Sequence, residues 1–313
     1  MIAIIGASGF VGKNLVKLYT EDEVVLTYFK NKINRKNAIK LNCLNKNEVK
    51  QFFKEYSIKK VFFLSARSGG IGANVKYGAE FLYENLEMQN NIFFYAKEFN
   101  VEKLIFVASS CMYPKNSLQP IKEEYLLDGR IEETSKPYAI SKIAGVTMCE
   151  TFNKYYNTNF ISVVPATLYG ENGKFDSENS HVLHAIINKI YNAKRENKNL
   201  ILWGSGEVFR EFLYIQDFVK MLKYIMDNID YKDINSHINL GSKEEIKVSD
   251  LANLIKDTID FKKDIIFDKT KPDGVKRKKL DTTLMQKLGI NFYTPLIEGI
   301  KQTCEWYERN MNV

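Results

Sequence analysis

Residues 1–19 read MIAIIGASGFVGKNLVKLY, and this run decides the fold. Ile2 to Ile5 form a short apolar strand that runs straight into glycine, and FVGKNLVKLY beyond it spaces its apolar residues as a helix does. Gly6, Gly9 and Gly12 stand between the two in the spacing G-x-x-G-x-x-G. Strand, glycine turn and helix in that order serve one purpose well. The glycines permit a tight turn, a close approach of backbone to a pyrophosphate and tight packing of helix on strand, and the helix N-terminus faces the anion. Ser8, Phe10 and Val11 fill the turn and are expected to line the same dinucleotide site.

Downstream, apolar strands alternate with amphipathic stretches. VVLTYF (24–29), KVFFLSA (60–66), KLIFVASS (103–110) and FISVVPA (160–166) are separated by segments such as NEVKQFFKEY (47–56) and ENLEMQNNIFFYAKEF (84–99). This pattern predicts an α/β fold: a Rossmann-like, doubly wound parallel sheet with helices on both faces. After Tyr169 the order changes to a turn-rich stretch, a helix over HVLHAIINKIYNAKREN and the strand ILWGSG. A smaller substrate-binding α/β domain is therefore expected over 170–313, beside a dinucleotide-binding domain over 1–169. INLGSKEEIKVSDLANLIKDTI reads as strand, turn and helix able to rejoin the sheet, so the two domains are expected to interleave.

The second signal is KPYAISKIAG, which sets Tyr138 and Lys142 four residues apart. Residues at i and i+4 share a helix face, so the ammonium is expected to sit by the phenol and lower its pKa. A phenol tuned in this way exchanges a proton with a sugar or steroid oxygen while a nicotinamide moves hydride. The pair on its own is a weak signal, and the glycine turn ahead of it supplies the context.

Length and composition suit a soluble enzyme. The chain of 313 residues carries Cys43, Cys111, Cys149 and Cys304 without C-x-x-C or regular spacing, so neither a disulfide frame nor a metal site is expected. No charged leader with an apolar core precedes the first strand and no apolar run approaches the roughly 20 residues of a membrane helix, which leads to the expectation of a cytoplasmic protein without membrane attachment. The net charge of +7 comes largely from Lys/Asn-rich connecting stretches that read as solvated surface, so no nucleic-acid partner is expected. The cluster from Lys271 to Lys279 lies by a Pro-Asp-Gly turn and suits the phosphates of a small nucleotide.

Several long motifs, in order, resemble the GDP-L-fucose synthase family of extended short-chain dehydrogenases. They are SGGIGAN (Ser68 to Asn74), SSCMYPK (Ser109 to Lys115), SKPYAISKIAG, ENSHV (Glu178 to Val182), WGSGEVFREFLYIQDF and KPDGVKRKKLD. The resemblance covers almost the whole chain. It implies an NADPH-dependent 4-keto reductase of a GDP-linked sugar, in which Ser109 hydrogen-bonds the ketone oxygen, Tyr138 protonates it, and Lys142 holds the nicotinamide ribose. It implies further that Cys111 and His181 act as base and acid in exchanging protons at carbons 3 and 5, which the ketone acidifies. Leu64, Ser65, Ala66 and Leu168 would join the cofactor site. Asn74, Trp203, Arg210, Arg277 and Lys278 would join the sugar-nucleotide site, with Lys189 where an arginine is usual. A homodimer is implied, built on a helix bundle. One departure is Thr167, which stands where family members carry Asn before Leu-Tyr-Gly, and changes facing the sugar suit a GDP-4-keto-heptose as well as a hexose.

Cofactor choice turns on VVLTYFKNK. An NAD site usually places a carboxylate at the end of the second strand, about 20 residues past the glycines, and here there is none. Ser8 with Lys30, Lys32 or Arg35 suits a 2′-phosphate, so NADPH/NADP is expected. Three other readings compete: a reductase that works after a separate epimerase, an isomerase or dehydratase that retains NAD, and a non-catalytic dinucleotide sensor.

Overall fold

Strand after strand in the first half is buried on both faces, which is the pattern a parallel sheet covered by two helix layers demands. In the computed structural model, which describes residues 1–313 except 177–179, 235, 272, 274, 312 and 313 and the side chain of Ile71, that sheet has seven strands. The strands in chain order are β1 (Ile2–Ile5), β2 (Val24–Tyr28), β3 (Ala38–Lys40), β4 (Lys60–Phe63), β5 (Lys103–Val107) and β6 (Phe160–Pro165). Then come β7 (Thr167–Tyr169), β8 (Leu200–Trp203), β9 (Phe209–Tyr214), β10 (His237–Leu240), β11 (Glu245–Lys247) and β12 (Ile265–Asp268). The order across the large sheet is β10-β6-β5-β4-β1-β2-β3, parallel throughout.

The order reverses between β1 and β4, and that reversal opens a crevice at their carboxyl ends where ligands bind in such sheets. β1 is the hydrophobic centre. Ala3, Ile4 and Ile5 are wholly buried, each large side chain contributing about 1.5–3 kcal/mol.

The helices are α1 (Phe10–Leu15), α2 (Lys46–Glu55), α3 (Ile71–Lys76), α4 (Gly78–Glu98), α5 (Lys136–Tyr156), α6 (Val182–Arg195), α7 (Ile215–Asn228), α8 (Val248–Thr258), α9 (Thr283–Lys287) and α10 (Leu296–Asn310). α4 packs between α2 and α5, while α1 packs on α7. Beyond Tyr169 the chain builds two small sheets, β11-β9-β7 and β12-β8, and then returns β10 to the edge of the large one beside β6. The short strands β3, β7, β11 and β12 were not expected, because three or four residues carry too little alternation to be read. Parts of two quoted motifs, Glu178 with Asn179 and Pro272 with Gly274, lie outside the described residues.

Candidate active site

The glycine turn is built by close approach. Gly6 takes φ +92°, a left-handed conformation that favours glycine, and a Cβ there would lie 2.7 Å from Ser65 Oγ. A Cβ on Gly12 would lie 2.5 Å from the Gly6 carbonyl oxygen, so helix and turn touch through backbone alone. Thr27 on β2 steadies the turn: its hydroxyl accepts from Gly6 N at 3.1 Å and its carbonyl from Ala7 N at 2.9 Å. α1 starts at Phe10 with Gly9 as a cap that offers no side chain, leaving its first-turn N–H groups for an anion. Leu64 N donates to Ile5 O at 2.9 Å, which sets Leu64, Ser65 and Ala66 beside the turn at the crevice. At the end of β2 stand Tyr28, Phe29 and Lys30, with Lys30, Lys32 and Arg35 all exposed. These features fit a dinucleotide carrying an extra phosphate: a cradle that only glycine permits, and cations without a carboxylate beyond β2.

β5 ends at Val107, and Ser109 leads into a 3₁₀ turn over Ser110–Met112. Ser109 Oγ lies 3.1 Å from Cys111 Sγ. Tyr138, near the start of α5, receives a hydrogen-bonding contact from Ser109 and feels the Cys111 thiol, so the three groups meet at one point. Phe81 packs edge-on against Tyr138 at 6.2 Å between centroids.

The Tyr138–Lys142 relation differs from the sequence expectation. Lys142 Nζ lies 5.6 Å from the Tyr138 ring centroid but donates its hydrogen bond to Val107 O at 2.8 Å. Desolvation holds the Tyr138 pKa above the ordinary phenol value rather than below it, with the neighbouring Cys111 adding to the rise. Desolvation also brings Lys142 down to about 8, an effect the nearby Cys111 partly opposes. In this arrangement Tyr138 keeps its proton at neutral pH and Lys142 remains largely an ammonium.

His181 caps α6 and is held below the usual histidine range by desolvation. Beside it His184, buried, accepts from Gly170 N at 3.1 Å and is pushed down to about 4 by desolvation and by His181. Phe10 of the glycine turn meets His184 edge-on at 5.6 Å, which brings the start of α6 against the start of α1. The contacts thus group Cys111 with Ser109, Tyr138 and Lys142, and His181 with His184.

Trp203 ends β8 with 71% of its surface exposed. Lys189 Nζ from α6 and Lys271 Nζ flank its ring at 5.8 and 5.7 Å. An open indole between two ammoniums is a platform for a flat base attached to phosphates. Lys271 was part of the basic cluster noted in the sequence, yet only the fold puts it over Trp203. Arg210 on β9 is held by the Phe209 and Val275 carbonyls at 2.6 and 2.7 Å. Lys278 lies within the electrostatic reach of both Arg210 and Cys111. Arg277, next to it, is ion-paired with Glu245, so of the two expected phosphate cations the arginine is already engaged. Asn74 is 8% exposed and donates to Gly69 O and Gly70 O, while its Oδ1 has no partner among the described residues. Thr167 and Leu168 lie half-buried on β7, paired to β9.

Sequence reading missed Glu211, fully buried beside Arg210, whose carboxyl burial pushes up to about 8 while Leu280 N donates to it at 2.9 Å. The available signal was a carboxylate directly beside Arg210 and ahead of the apolar run Phe212–Tyr214.

Comparison with known proteins agrees with the fold. Residues 2–241 match the NAD dependent epimerase/dehydratase family. A GDP-L-fucose synthase from Sinorhizobium fredii is 38% identical over 313 residues, covering 99% of this chain and 96% of that protein. Among solved structures, a GDP-6-OMe-4-keto-L-xylo-heptose reductase from C. jejuni superposes with a TM-score of 0.89 at 32% identity, covering 98% of this chain and 97% of that one. A GDP-mannoheptose C4 reductase from Campylobacter jejuni with NADP bound gives 0.87 at 34% identity, with 98% of each chain covered.

Proposed function

We propose, from the premise that this chain belongs to the NAD dependent epimerase/dehydratase family and is a member of its GDP-L-fucose synthase group, that it is an NADPH-dependent 4-keto reductase of a GDP-linked sugar. The observation that carries the reading is the meeting of Ser109, Cys111 and Tyr138 over Lys142 at the end of β5, with Lys278 reaching the same point from the other half of the molecule and Arg210 within its electrostatic reach. Gly6, Ser8, Gly9, Phe10, Val11 and Gly12 would hold the pyrophosphate, with Leu64, Ser65, Ala66 and Leu168 along the rest of the dinucleotide. A bound NADPH supplies hydride to the ketone carbon.

The chain supplies the proton. Ser109 orients the ketone oxygen by a hydrogen bond, and Tyr138, kept protonated by desolvation, hands its phenolic proton to that oxygen as negative charge develops. The Lys142 ammonium then faces the phenolate and stabilises it until solvent restores the proton. Trp203 would stack on the guanine, while Lys189, Lys271, Arg210 and Lys278 would face the diphosphate. Asn74, with its unpaired Oδ1, would take a sugar or ribose hydroxyl.

Epimerisation at carbons 3 and 5 by Cys111 and His181 is part of the proposal, because both residues are present, Cys111 adjoins Tyr138, and His181 stands beside His184, which packs on Phe10 of the cofactor turn. A reductase that follows a separate epimerase is the second reading, favoured by the two heptose reductases at 32% and 34% identity. The decisive experiment incubates the protein with NADPH and a panel of GDP-4-keto hexoses and heptoses in deuterated water. Nicotinamide oxidation with deuterium at carbons 3 and 5 supports the bifunctional enzyme, oxidation without it the plain reductase, and no oxidation with any sugar removes both. NADPH should be preferred over NADH in kcat/KM, and equal use of the two would contradict the basic region beyond β2.

The unit boundary is proposed at 169/170, with β10 returning from the second unit to the sheet of the first. A homodimer through α4 and α5 suits the uncharged outer stripe of α5, where Ile140 and Tyr155 are exposed, and the exposed Tyr83 and Phe94 of α4. No described helix is long and apolar enough to cross a membrane, and a cytoplasmic site of action suits a consumer of NADPH and GDP-sugars.

A further inference from the structure

We propose that Tyr113, His237 and Asn239 are positioning residues that hold the turn bearing Ser109 and Cys111 in register with the helix bearing Tyr138 and Lys142, an inference that rests on the reductase reading above. The turn leaves the sheet at β5, and β6 separates it from β10. Tyr113, the residue that follows the turn, reaches past β6. Its hydroxyl lies 2.6 Å from Asn239 Oδ1 and 2.8 Å from His237 Nε2, both on β10, and all three side chains are buried.

The path continues to the helix. His237 Nδ1 lies 3.0 Å from Ser236 Oγ, which donates to Glu150 Oε1 at 2.9 Å, and Glu150 is on α5 with Tyr138 and Lys142. A third branch leaves Asn239. Its Nδ2 donates to Ile121 O at 3.0 Å, and Ile121 in turn takes the Asp281 N–H at 2.7 Å and gives its own N–H to Lys279 O at 2.7 Å. The segment that presents Lys278 therefore hangs on the same node as the catalytic turn.

Donor roles close without a charge. Ser236 uses its one proton on Glu150, so His237 donates from Nδ1 and keeps a lone pair on Nε2. Asn239 is oriented by Ile121, so its Oδ1 can only accept. The Tyr113 proton is then shared between the two acceptors. Burial keeps His237 neutral, at about 4, in agreement with this count. Apolar side chains of similar volume would fill the same space, but directed bonds specify one angle of the turn. Ser109 and Cys111 need that angle, because a reacting group displaced by about 1 Å can cost roughly 10²-fold in rate.

The test uses the full chain with Tyr113→Phe, His237→Gln and His237→Leu. Tyr113→Phe keeps the ring, and is expected to lower kcat for NADPH-driven reduction roughly 10- to 100-fold with KM for both substrates nearly unchanged. His237→Gln retains an amide able to accept from Tyr113 and should recover most of the rate that His237→Leu loses. A second readout needs no turnover: Cys111 is the one partly exposed cysteine, the other three being buried, so iodoacetamide reports on its turn. Its alkylation rate should change several-fold in Tyr113→Phe, as the thiol is released from its place 3.1 Å from Ser109. If the wild type reduces no GDP-4-keto sugar, the reductase reading fails, and the alkylation rate still judges the tether. A folded Tyr113→Phe with wild-type kcat and wild-type Cys111 alkylation, or His237→Leu indistinguishable from His237→Gln, would overturn the proposal.

Discussion

The glycine turn and the Trp203 platform are both proposed as ligand sites, but they are made of different matter. The turn is seven consecutive residues whose binding groups are backbone N–H, and its shape is enforced by backbone touching backbone at Gly6 and Gly12. The platform takes Lys189 from α6, Trp203 from β8 and Lys271 from a later segment, and the proposed nucleotide site adds Arg210 from β9 and Lys278, each contributing a side chain. A site of backbone is local and intolerant of substitution. A site of side chains is distributed, and each member is expected to be exchangeable with graded loss.

The largest effect should come at the seam between the two. Tyr138→Phe is expected to lower reduction about 10²- to 10⁴-fold while calorimetric binding of NADPH and of GDP stays as in the wild type. Near-native turnover in that variant would end the proposed proton donation. Gly12→Val tests the backbone region: the added Cβ meets the Gly6 carbonyl at 2.5 Å, and overpacking of ~1–3 kcal/mol should weaken NADPH roughly 10- to 100-fold and leave GDP affinity alone. If NADPH binds normally, the close packing is not what shapes the site.

Trp203→Ala tests the other region and should be milder. Loss of stacking is worth ~1–3 kcal/mol, so GDP should weaken about tenfold or more, with NADPH binding and Tm unchanged because the indole packs on little. Unaltered GDP affinity would remove Trp203 from the nucleotide site.

The smallest effect is one of stability. Lys142 falls from 10.5 to about 8 in the folded protein, so between those values the unfolded chain carries the extra proton and stability rises with pH; below about 8 the cost of burying the ammonium is fully present. Lys142→Met removes that cost and should be at least as stable as wild type at pH 7, with the difference shrinking as pH rises from 8 to 10.5. A difference in Tm that stays constant over that range would show that the ammonium is not desolvated as described.

Legibility followed the same division. Six of the seven strands of the large sheet were readable, five as apolar runs and β10 from the strand–turn–helix order that follows it, because strands buried on both faces need no partner information to be recognised. The 38–40 edge strand was not, being half-buried and three residues long. Tyr138 and Lys142 were found by spacing, yet their electrostatic relation was reversed by depth, since i,i+4 spacing places two groups near each other but says nothing of how much water surrounds them. Arg277 and Lys278 looked equivalent until Glu245 on a separate strand engaged the arginine.

What the sequence determined by itself was the β1–turn–α1 unit, the alternation that makes a parallel sheet, and the residue types able to move a proton. Those depend on neighbours within a few positions, where sterics and periodicity act. Only the tertiary structure decided that Lys271 meets Trp203, that Lys142 bonds to Val107, and that Tyr113 reaches His237 and Asn239 across an intervening strand. The physical reason is that desolvation and charge pairing depend on distance in space, and partners separated by 35 to 126 residues in the chain are brought together only by the way the sheet and helices pack.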